Sequence, residues 1–148
     1  MNILFVCTGN TCRSPLAEAL ARKIAERRGL TDVTLSSAGA NAWDGAPASD
    51  ESLLVGMERQ VDLGGHRARL LTPAIVSEAD LIFVMTSSHL EQVNQLGGKG
   101  KSHVLDEYAS GSDAQGITDP YGGDLAMYRE TADMLEQEIE KVFDRLAG

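Results

Sequence analysis

One stretch near the start of the chain decides the fold: Asn2-Ile3-Leu4-Phe5-Val6-Cys7-Thr8-Gly9-Asn10-Thr11-Cys12-Arg13-Ser14-Pro15. The apolar run that ends at Val6 predicts a strand buried on both faces of a sheet. Ser14 followed by Pro15 is typical of a helix start, with Ser14 as the N-cap and proline in the first turn. An apolar stripe continues to Ile24 and stops before Gly29, so the stretch predicts a strand, a loop and a helix in succession.

The same alternation of strand and helix continues along the rest of the chain. Three further strands are predicted at 32–37, 80–85 and 102–105. Helices are predicted from Ser49 to about Asp62, from Thr72-Pro73, from the cap Thr86-Ser87-Ser88 through Leu96, and from Asp124 onward, with a long polar loop at 109–123. This order predicts an α/β fold, a flavodoxin-like three-layer sandwich with a central four-stranded parallel sheet. Ligands of such sheets bind beyond the carboxyl ends of the strands, where the Cys7 loop lies.

Composition limits the classes of function. The chain has 148 residues, 43% of them hydrophobic, which fits a single domain over 1–148. A formal net charge of −9 argues against nucleic acid or an anionic membrane as partner, because both favour clustered Lys and Arg. There is no apolar run of the ~20 residues that a membrane span needs, and no signal peptide is evident. The two cysteines form no disulfide framework, so we expect the reducing cytoplasm as the compartment. We also expect a monomer.

The loop after the first strand has the composition of an oxyanion site. Its backbone N–H groups and the positive end of the following helix converge on one point. A Cys7 thiolate at that point is stabilised by the helix end and by Arg13, which keeps it nucleophilic. Arg13 offers a planar fork to two phosphate oxygens, and the Ser14 hydroxyl can donate to the sulfur. The alternative is that Cys7 is a small buried hydrophobe at the end of a strand.

A longer motif makes the interpretation specific. The segment Val6-Cys7-Thr8-Gly9-Asn10-Thr11-Cys12-Arg13-Ser14-Pro15-Leu16-Ala17-Glu18-Ala19 resembles the signature of the low-molecular-weight protein tyrosine phosphatase family. Further landmarks follow in the family's order: Ser36-Ser37-Ala38-Gly39, His66 and Asp119-Pro120-Tyr121-Gly122. The resemblance implies the phosphotyrosine protein phosphatase I type of fold, Cys7 as nucleophile, and substrate binding by the loop residues Thr8, Gly9, Asn10, Thr11 and Cys12.

The resemblance also assigns roles outside the loop. Asp119 would be the general acid, although Asp-Pro alone is a common turn opener. Its rivals Asp113, Asp106 and Glu107 are expected to be solvated. Trp43 and Tyr121 would form walls around the entering side chain, and His66 would brace Asn10 in a left-handed turn as structural support. The histidines His66, His89 and His103 show no metal-ligand spacing, so no metal and no cofactor are expected.

Two departures from the tyrosine phosphatases point to a particular substrate. Thr11 stands where those enzymes usually carry isoleucine, and it resembles the threonine of the bacterial protein arginine phosphatases. Gly122 and Gly123 follow Tyr121 where a second tyrosine is common, which also resembles the arginine-phosphatase branch. A threonine hydroxyl suits a polar guanidinium or positions water, whereas an isoleucine methyl packs against a flat ring. We therefore expect phosphoarginine residues in proteins as substrates, with phosphotyrosine as the alternative.

Other classes of function are weighed against the same residues. The arsenate reductases of the family use cysteines far downstream, and this chain has none after Cys12. Cys7 and Cys12 could form a redox sensor, or the domain could bind phosphate without catalysis. Cys12 could also form a reversible disulfide with an oxidised Cys7, which would protect the nucleophile.

Overall fold

The computed structural model describes residues 1–111 and 115–147; Asp113, a rival acid predicted above, lies outside the described residues. The strands are β1 (Asn2–Cys7), β2 (Thr34–Gly39), β3 (Leu81–Val84) and β4 (Ser102–Val104). The helices are α1 (Arg13–Arg27), α2 (Asp50–Glu58), α3 (Pro73–Glu78), α4 (Ser87–Val93), α5 (Leu105–Ser110) and α6 (Leu125–Ala147), and a π-helical turn (Asn94–Gly98) extends α4.

The four strands form one parallel sheet in the order β2-β1-β3-β4. Ile3 of β1 pairs with Leu35 of β2 on one side and with Leu81 of β3 on the other. The chain leaves β1 toward β2 and then returns to the opposite side of β1, so the strand order reverses between β1 and β3. Such a reversal opens a crevice at the carboxyl ends of the strands, and β1 ends there in Cys7. The predicted sandwich with four parallel strands is confirmed.

The two faces of β1 are buried by different helices, as the apolar run predicts. Ile3 and Phe5 pack in a cluster with α1 and α6, whereas Leu4 and Val6 pack with residues of α3 and α4. All four side chains are at most 2% exposed. Full burial of such side chains contributes about 1.5–3 kcal/mol each. β1 is therefore held from both sides, and the position of the loop at its end is fixed by this packing.

Two predicted helix starts are confirmed in detail, and several boundaries are wrong. Ser49 and Thr72 each accept a backbone N–H in the first turn of their helix, and Pro73 follows Thr72 as predicted. Helix α2 ends at Glu58 rather than near Asp62, because the chain turns through a left-handed Gln60 with φ 62°. The second strand is shifted by two residues, from the predicted 32–37 to Thr34–Gly39, and the third and fourth strands are shorter than predicted.

Helix α5 was not predicted. The sequence placed Leu105 at the end of a strand and 109–123 in a loop, but Leu105–Ser110 is a helix. Leu105 is fully buried, and Tyr108 and Ala109 pack against the same cluster at the third and fourth positions along. The guanidinium of Arg145 lies 4.0 Å from the Tyr108 ring centroid, so α5 is also held by α6.

None of the helices within 1–111 and 115–147 combines the length and hydropathy needed to cross a membrane.

Candidate active site

Cys7 is the last residue of β1, and the residue is 3% exposed. Ser14 Oγ lies 2.9 Å from the sulfur, and the backbone N–H of Asn10 donates to it at 3.3 Å. Asn10 Nδ2 also donates to Ser14 Oγ at 2.8 Å. Because that bond occupies an acceptor site on the hydroxyl, the Ser14 proton is free to point to the sulfur. Two donors therefore converge on Cys7, which is the environment that stabilises a thiolate.

Ser14 does not cap helix α1, contrary to the prediction. The helix begins at Arg13, and Cys12 occupies the N-cap position without a side-chain bond to the first turn. The Ser14 hydroxyl is committed to the sulfur and to Asn10 instead. The first turn of α1 therefore follows the loop without a capping side chain, and its orphan N–H groups and positive helix end remain suited to an anion.

Asn10 organises the loop from behind. It is fully buried and has a left-handed backbone with φ 56°. Its Nδ2 also donates to Ser37 Oγ at 2.9 Å, and its Oδ1 accepts the backbone N–H of Arg69 at 3.0 Å. His66 Nε2 lies 2.7 Å from the Asn10 carbonyl oxygen, so the predicted contact between these residues is present. The bonds of this side chain fix the turn that aims the Asn10 N–H at Cys7.

The motif that ends at Gly39 has a steric reason in the structure. A Cβ on Gly39 would lie 2.6 Å from the carbonyl oxygen of Thr8 and 2.9 Å from the backbone N of Asn10. Such contacts are too short for any side chain. β2 therefore needs glycine where it passes the nucleophile loop.

Arg13 and Asp119 form an ion pair in the lining of one cavity. Arg13 is 4% exposed, and its Nη1 donates to the carbonyl oxygen of Ile117 at 3.0 Å. Its Nη2 is 3.5 Å from Asp119 Oδ2, and the Asp119 side chain is 51% exposed. Asp119 Oδ1 accepts the backbone N–H of Tyr121 at 3.0 Å. The carboxylate is thus held at the mouth of the site, within reach of the solvent.

These groups line a cavity of about 240 Å³ at the carboxyl end of β1. Its lining consists of Cys7, Thr8, Gly9, Thr11, Cys12, Arg13, Asp119 and Tyr121. Asn10 and Ser14 lie behind the loop rather than in the wall. Trp43 is 85% exposed and is not among the lining residues, so its role as a wall stays a prediction.

The rival carboxylates have different surroundings. Glu107 is exposed, as expected. Asp106 is half-buried, and the expectation that it is solvated is wrong: its Oδ2 accepts the backbone N–H groups of Gln115 and Gly116 at 3.0 and 2.9 Å. Asp106 therefore anchors the segment that leads to Asp119.

Two side chains that the sequence did not suggest contact the loop from distant elements. His89 Nε2 lies 2.8 Å from Thr8 Oγ1, and burial lowers the pKa of His89, which Arg13 lowers further and Asp119 raises. Tyr128 is buried in α6, and its hydroxyl lies 3.4 Å from Cys12 Sγ. Burial raises the pKa of Tyr128, and the contact with Cys12 adds to the shift. The sequence signal that could have indicated His89 as a site neighbour is its position shortly after the end of a buried strand.

Both cysteines are free thiols in the structure. Cys12 Sγ donates to Ser49 Oγ at 3.6 Å, besides its contact with Tyr128. Across the part of the chain that the structure describes, no cluster of three or more His, Cys, Asp or Glu side chains could hold a metal ion.

Comparison with known proteins supports the fold and the motif. The family model described as low molecular weight phosphotyrosine protein phosphatase matches residues 2–148. A protein-arginine-phosphatase of Bacillus subtilis strain 168 is 38% identical over 148 residues, which cover 99% of this chain and 97% of that protein. The low molecular weight protein-tyrosine-phosphatase PtpB of Staphylococcus haemolyticus is 39% identical over 150 residues, covering 96% and 97% of the two chains.

A solved structure adds a chemical observation. It is a mutant of the YwlE arginine phosphatase with a phosphorylated active-site serine, and it superposes with a TM-score of 0.94. The identity is 38%, and the match covers 99% of this chain and 96% of that one. In that protein the residue that accepts the phosphoryl group is therefore an active-site side chain.

Proposed function

Because the chain belongs to the low-molecular-weight phosphotyrosine protein phosphatase family, we propose that it hydrolyses phosphoarginine residues in proteins through a cysteinyl-phosphate intermediate. The chain is a phosphatase of the cysteine-dependent type. The observation that carries the choice of substrate is Thr11, which lines the cavity beside Cys7. Its hydroxyl offers a polar group where the leaving guanidine would lie.

The first step is displacement at phosphorus by the Cys7 thiolate. An S–P bond forms and the P–N bond to the guanidine breaks, with its electron pair moving to nitrogen. Asp119 donates the proton that this nitrogen requires. Arg13 and the loop N–H groups hold the equatorial oxygens, and the charge of the phosphoryl group offsets that of Arg13. The paired position of Arg13 and Asp119 places both groups at the same cavity.

The second step is hydrolysis of the cysteinyl-phosphate. Asp119, now ionised, accepts a proton from water as the water oxygen attacks phosphorus. The S–P bond breaks, and the electron pair returns to sulfur. Ser14 and the Asn10 N–H donate to the sulfur, so they stabilise the thiolate as it leaves. Inorganic phosphate is released, and no cofactor is consumed.

A preference for phosphotyrosine is the second candidate. Tyr121 lines the cavity and is 79% exposed, so its ring is available to stack on an aromatic substrate. The PtpB relative is named for that activity. Against it, Gly122 and Gly123 follow Tyr121 and supply no second aromatic wall.

The partners and the compartment follow from the same proposal. The substrates are phosphorylated proteins, which the chain meets as a monomer in the cytoplasm. Cys12 serves as a reversible partner for an oxidised Cys7. The acidic composition and the two free thiols support these proposed assignments. Size-exclusion chromatography with light scattering tests whether the chain is a monomer.

The decisive experiment compares two peptides that differ only in the phosphorylated residue. The wild-type chain should show a higher kcat/KM on the phosphoarginine peptide than on the phosphotyrosine peptide. Thr11→Ile should reverse the order by lowering the first value and raising the second, because the methyl groups replace a polar contact. Cys7→Ser should release no phosphate from either peptide.

Chelator should not change any of these rates. A strong preference of the wild-type chain for phosphotyrosine would overturn the choice of substrate. Full activity of Cys7→Ser would overturn the mechanism itself.

A further inference from the structure

His89 is a buried side chain at the joint between the nucleophile loop and the end of β3. It is 5% exposed and lies in the first turn of α4. Its Nε2 is 2.8 Å from Thr8 Oγ1, and its Nδ1 is 3.1 Å from Thr86 Oγ1. Both ring nitrogens are therefore committed to hydroxyl groups, one on the residue after Cys7 and one on the turn after β3.

Thr86 is also where the Asp119 segment packs. Ile117 donates its backbone N–H to the carbonyl oxygen of Met85 at 2.8 Å. A Cβ built on Gly116, whose φ is +80°, would lie 3.0 Å from Thr86 Cγ2, so the segment passes close to this side chain. A continuous set of contacts thus runs from Thr8 through His89 and Thr86 to the residues just before Asp119.

The charged groups that act on the ring are Arg13 of α1 and Asp119. Burial is the largest cause that lowers the pKa of His89, Arg13 lowers it further, and Asp119 raises it. Burial and Arg13 therefore favour the neutral form of the ring. A neutral imidazole has one N–H donor and one acceptor nitrogen, so it donates to one of the two threonine hydroxyls and accepts from the other.

We propose that His89 is a positioning residue of the phosphatase reaction: by bonding Thr8 and Thr86 at once, it fixes the nucleophile loop relative to the segment that carries Asp119. The inference rests on phosphatase chemistry at Cys7 and is independent of which phosphorylated residue is the substrate. Thr8 lines the cavity beside Cys7, so a shift of Thr8 moves the wall that holds the phosphoryl group. Misplacement by about 1 Å can cost about 100-fold in rate.

The test uses para-nitrophenyl phosphate as the probe. His89→Ala should lower kcat about tenfold, with KM changed less than about twofold, because alignment is lost rather than binding. His89→Gln should keep most of kcat, since its amide offers both a donor and an acceptor and stays neutral. His103→Gln is the matched control, because His103 is a half-buried histidine on β4 away from the cavity.

A double-mutant cycle identifies the residue through which His89 acts. Thr8→Val removes the hydroxyl with little change of shape, and it should lower kcat by a factor similar to that of His89→Ala. Adding His89→Ala to Thr8→Val should then change kcat less than about twofold. Thr8→Val keeps the inference testable even if His89→Ala does not fold, because it breaks the same bond from the other end.

The outcomes separate this inference from the proposed function. If the wild-type chain and His103→Gln hydrolyse the probe at equal rates and His89→Ala does too, His89 has no positioning role and the phosphatase proposal stands. Multiplicative effects of Thr8→Val and His89→Ala, or a His89→Gln variant as slow as His89→Ala, would also overturn the inference. No hydrolysis by the wild-type chain would instead remove the proposed function.

Discussion

The nucleophile and the proposed acid are held in opposite ways. The nucleophile side is buried: Cys7, Asn10 and Ser14 are at most 3% exposed. The Asn10 side chain donates to the Ser14 and Ser37 hydroxyls and accepts the Arg69 backbone N–H. Asp119 is 51% exposed and is held by Arg13 and by one backbone N–H. The same cavity therefore has one buried, hydrogen-bonded side and one exposed side.

This difference has an energetic consequence. Each buried polar group that loses its partner costs about 1–3 kcal/mol, so changes on the nucleophile side should lower stability and activity together. The Arg13–Asp119 contact is 3.5 Å long and its carboxylate is 51% exposed. Ion pairs open to solvent are worth about 0–1 kcal/mol, so changes at Asp119 should lower activity far more than stability. Exposure also suits the work proposed for Asp119, since it must exchange a proton with water and admit a bulky leaving group.

Among the variants that compare the two sides, Asp119→Asn should lower the rate most and the stability least. We expect kcat to fall by about 100- to 10,000-fold, because general acid catalysis contributes about that much. The loss should be greater with phenyl phosphate than with para-nitrophenyl phosphate, whose leaving group needs less protonation. Steady-state kinetics on the two esters measures the difference, and thermal unfolding checks that the midpoint is unchanged.

Glu107→Gln is the matched control for this prediction, since it neutralises an exposed carboxylate outside the cavity. Its rates should equal those of the wild-type chain. An equal loss on both esters in Asp119→Asn would mean that Asp119 does not protonate the leaving group.

Asn10 tests the other side of the comparison. Asn10→Ala should lower the free energy of unfolding by about 2–4 kcal/mol, because it removes bonds to Ser14, Ser37 and the Arg69 N–H from a buried site. Asn10→Gly should recover about 1 kcal/mol of this loss, because glycine adopts the left-handed backbone without steric cost. Both variants should have a lower kcat than the wild-type chain, because kcat depends on the hydrogen bonds of the Asn10 side chain. Urea unfolding and kcat/KM are measured on the same samples.

The control here is Asn41→Ala, which changes an exposed asparagine two residues after β2. It should leave the free energy of unfolding within about 0.5 kcal/mol of the wild-type value and kcat/KM unchanged. If Asn10→Gly restored full activity, the backbone turn alone would position the sulfur donors, and the buried network would be a matter of stability only.

The sequence predicts best where a residue and its partners are near each other along the chain. The loop from Cys7 to Ser14 could be placed because the strand, the loop and the helix are contiguous. His89 and Tyr128 were missed as site neighbours because their contacts with Thr8 and Cys12 span 81 and 116 positions. Helix α5 was missed because its apolar spacing covers only one repeat, which is too short for a periodicity.

The helix caps show where local prediction fails for a functional reason. Ser49 and Thr72 cap their helices as predicted, and neither residue lines the cavity. Ser14 and Thr86 were predicted as caps and have no capping bond, because their hydroxyls bond Cys7 and His89. Local sequence preferences are often violated at functional sites. Here the two hydroxyls without a capping bond belong to the starts of α1 and α4, which follow β1 and β3 at the crevice.

The smallest expected effect concerns His89, which links the nucleophile loop to the segment before Asp119. Burial lowers the pKa values of both His89 and His103, with Arg13 and Arg145 respectively lowering them further. In the window between each lowered folded value and the unfolded value of about 6.5, the unfolded chain binds more protons than the folded chain. The free energy of unfolding must therefore fall as the pH falls through that window.

His89→Gln should remove the larger share of this slope, because His89 is 5% exposed whereas His103 is only half-buried. His103→Gln should remove the smaller share, and the double variant should remove both, as the two sites lie on separate elements. Urea unfolding of the four chains across the histidine range measures the slopes. If His103→Gln removed as much as His89→Gln, the joint beside the nucleophile would be no more protected from water than the far edge of the sheet.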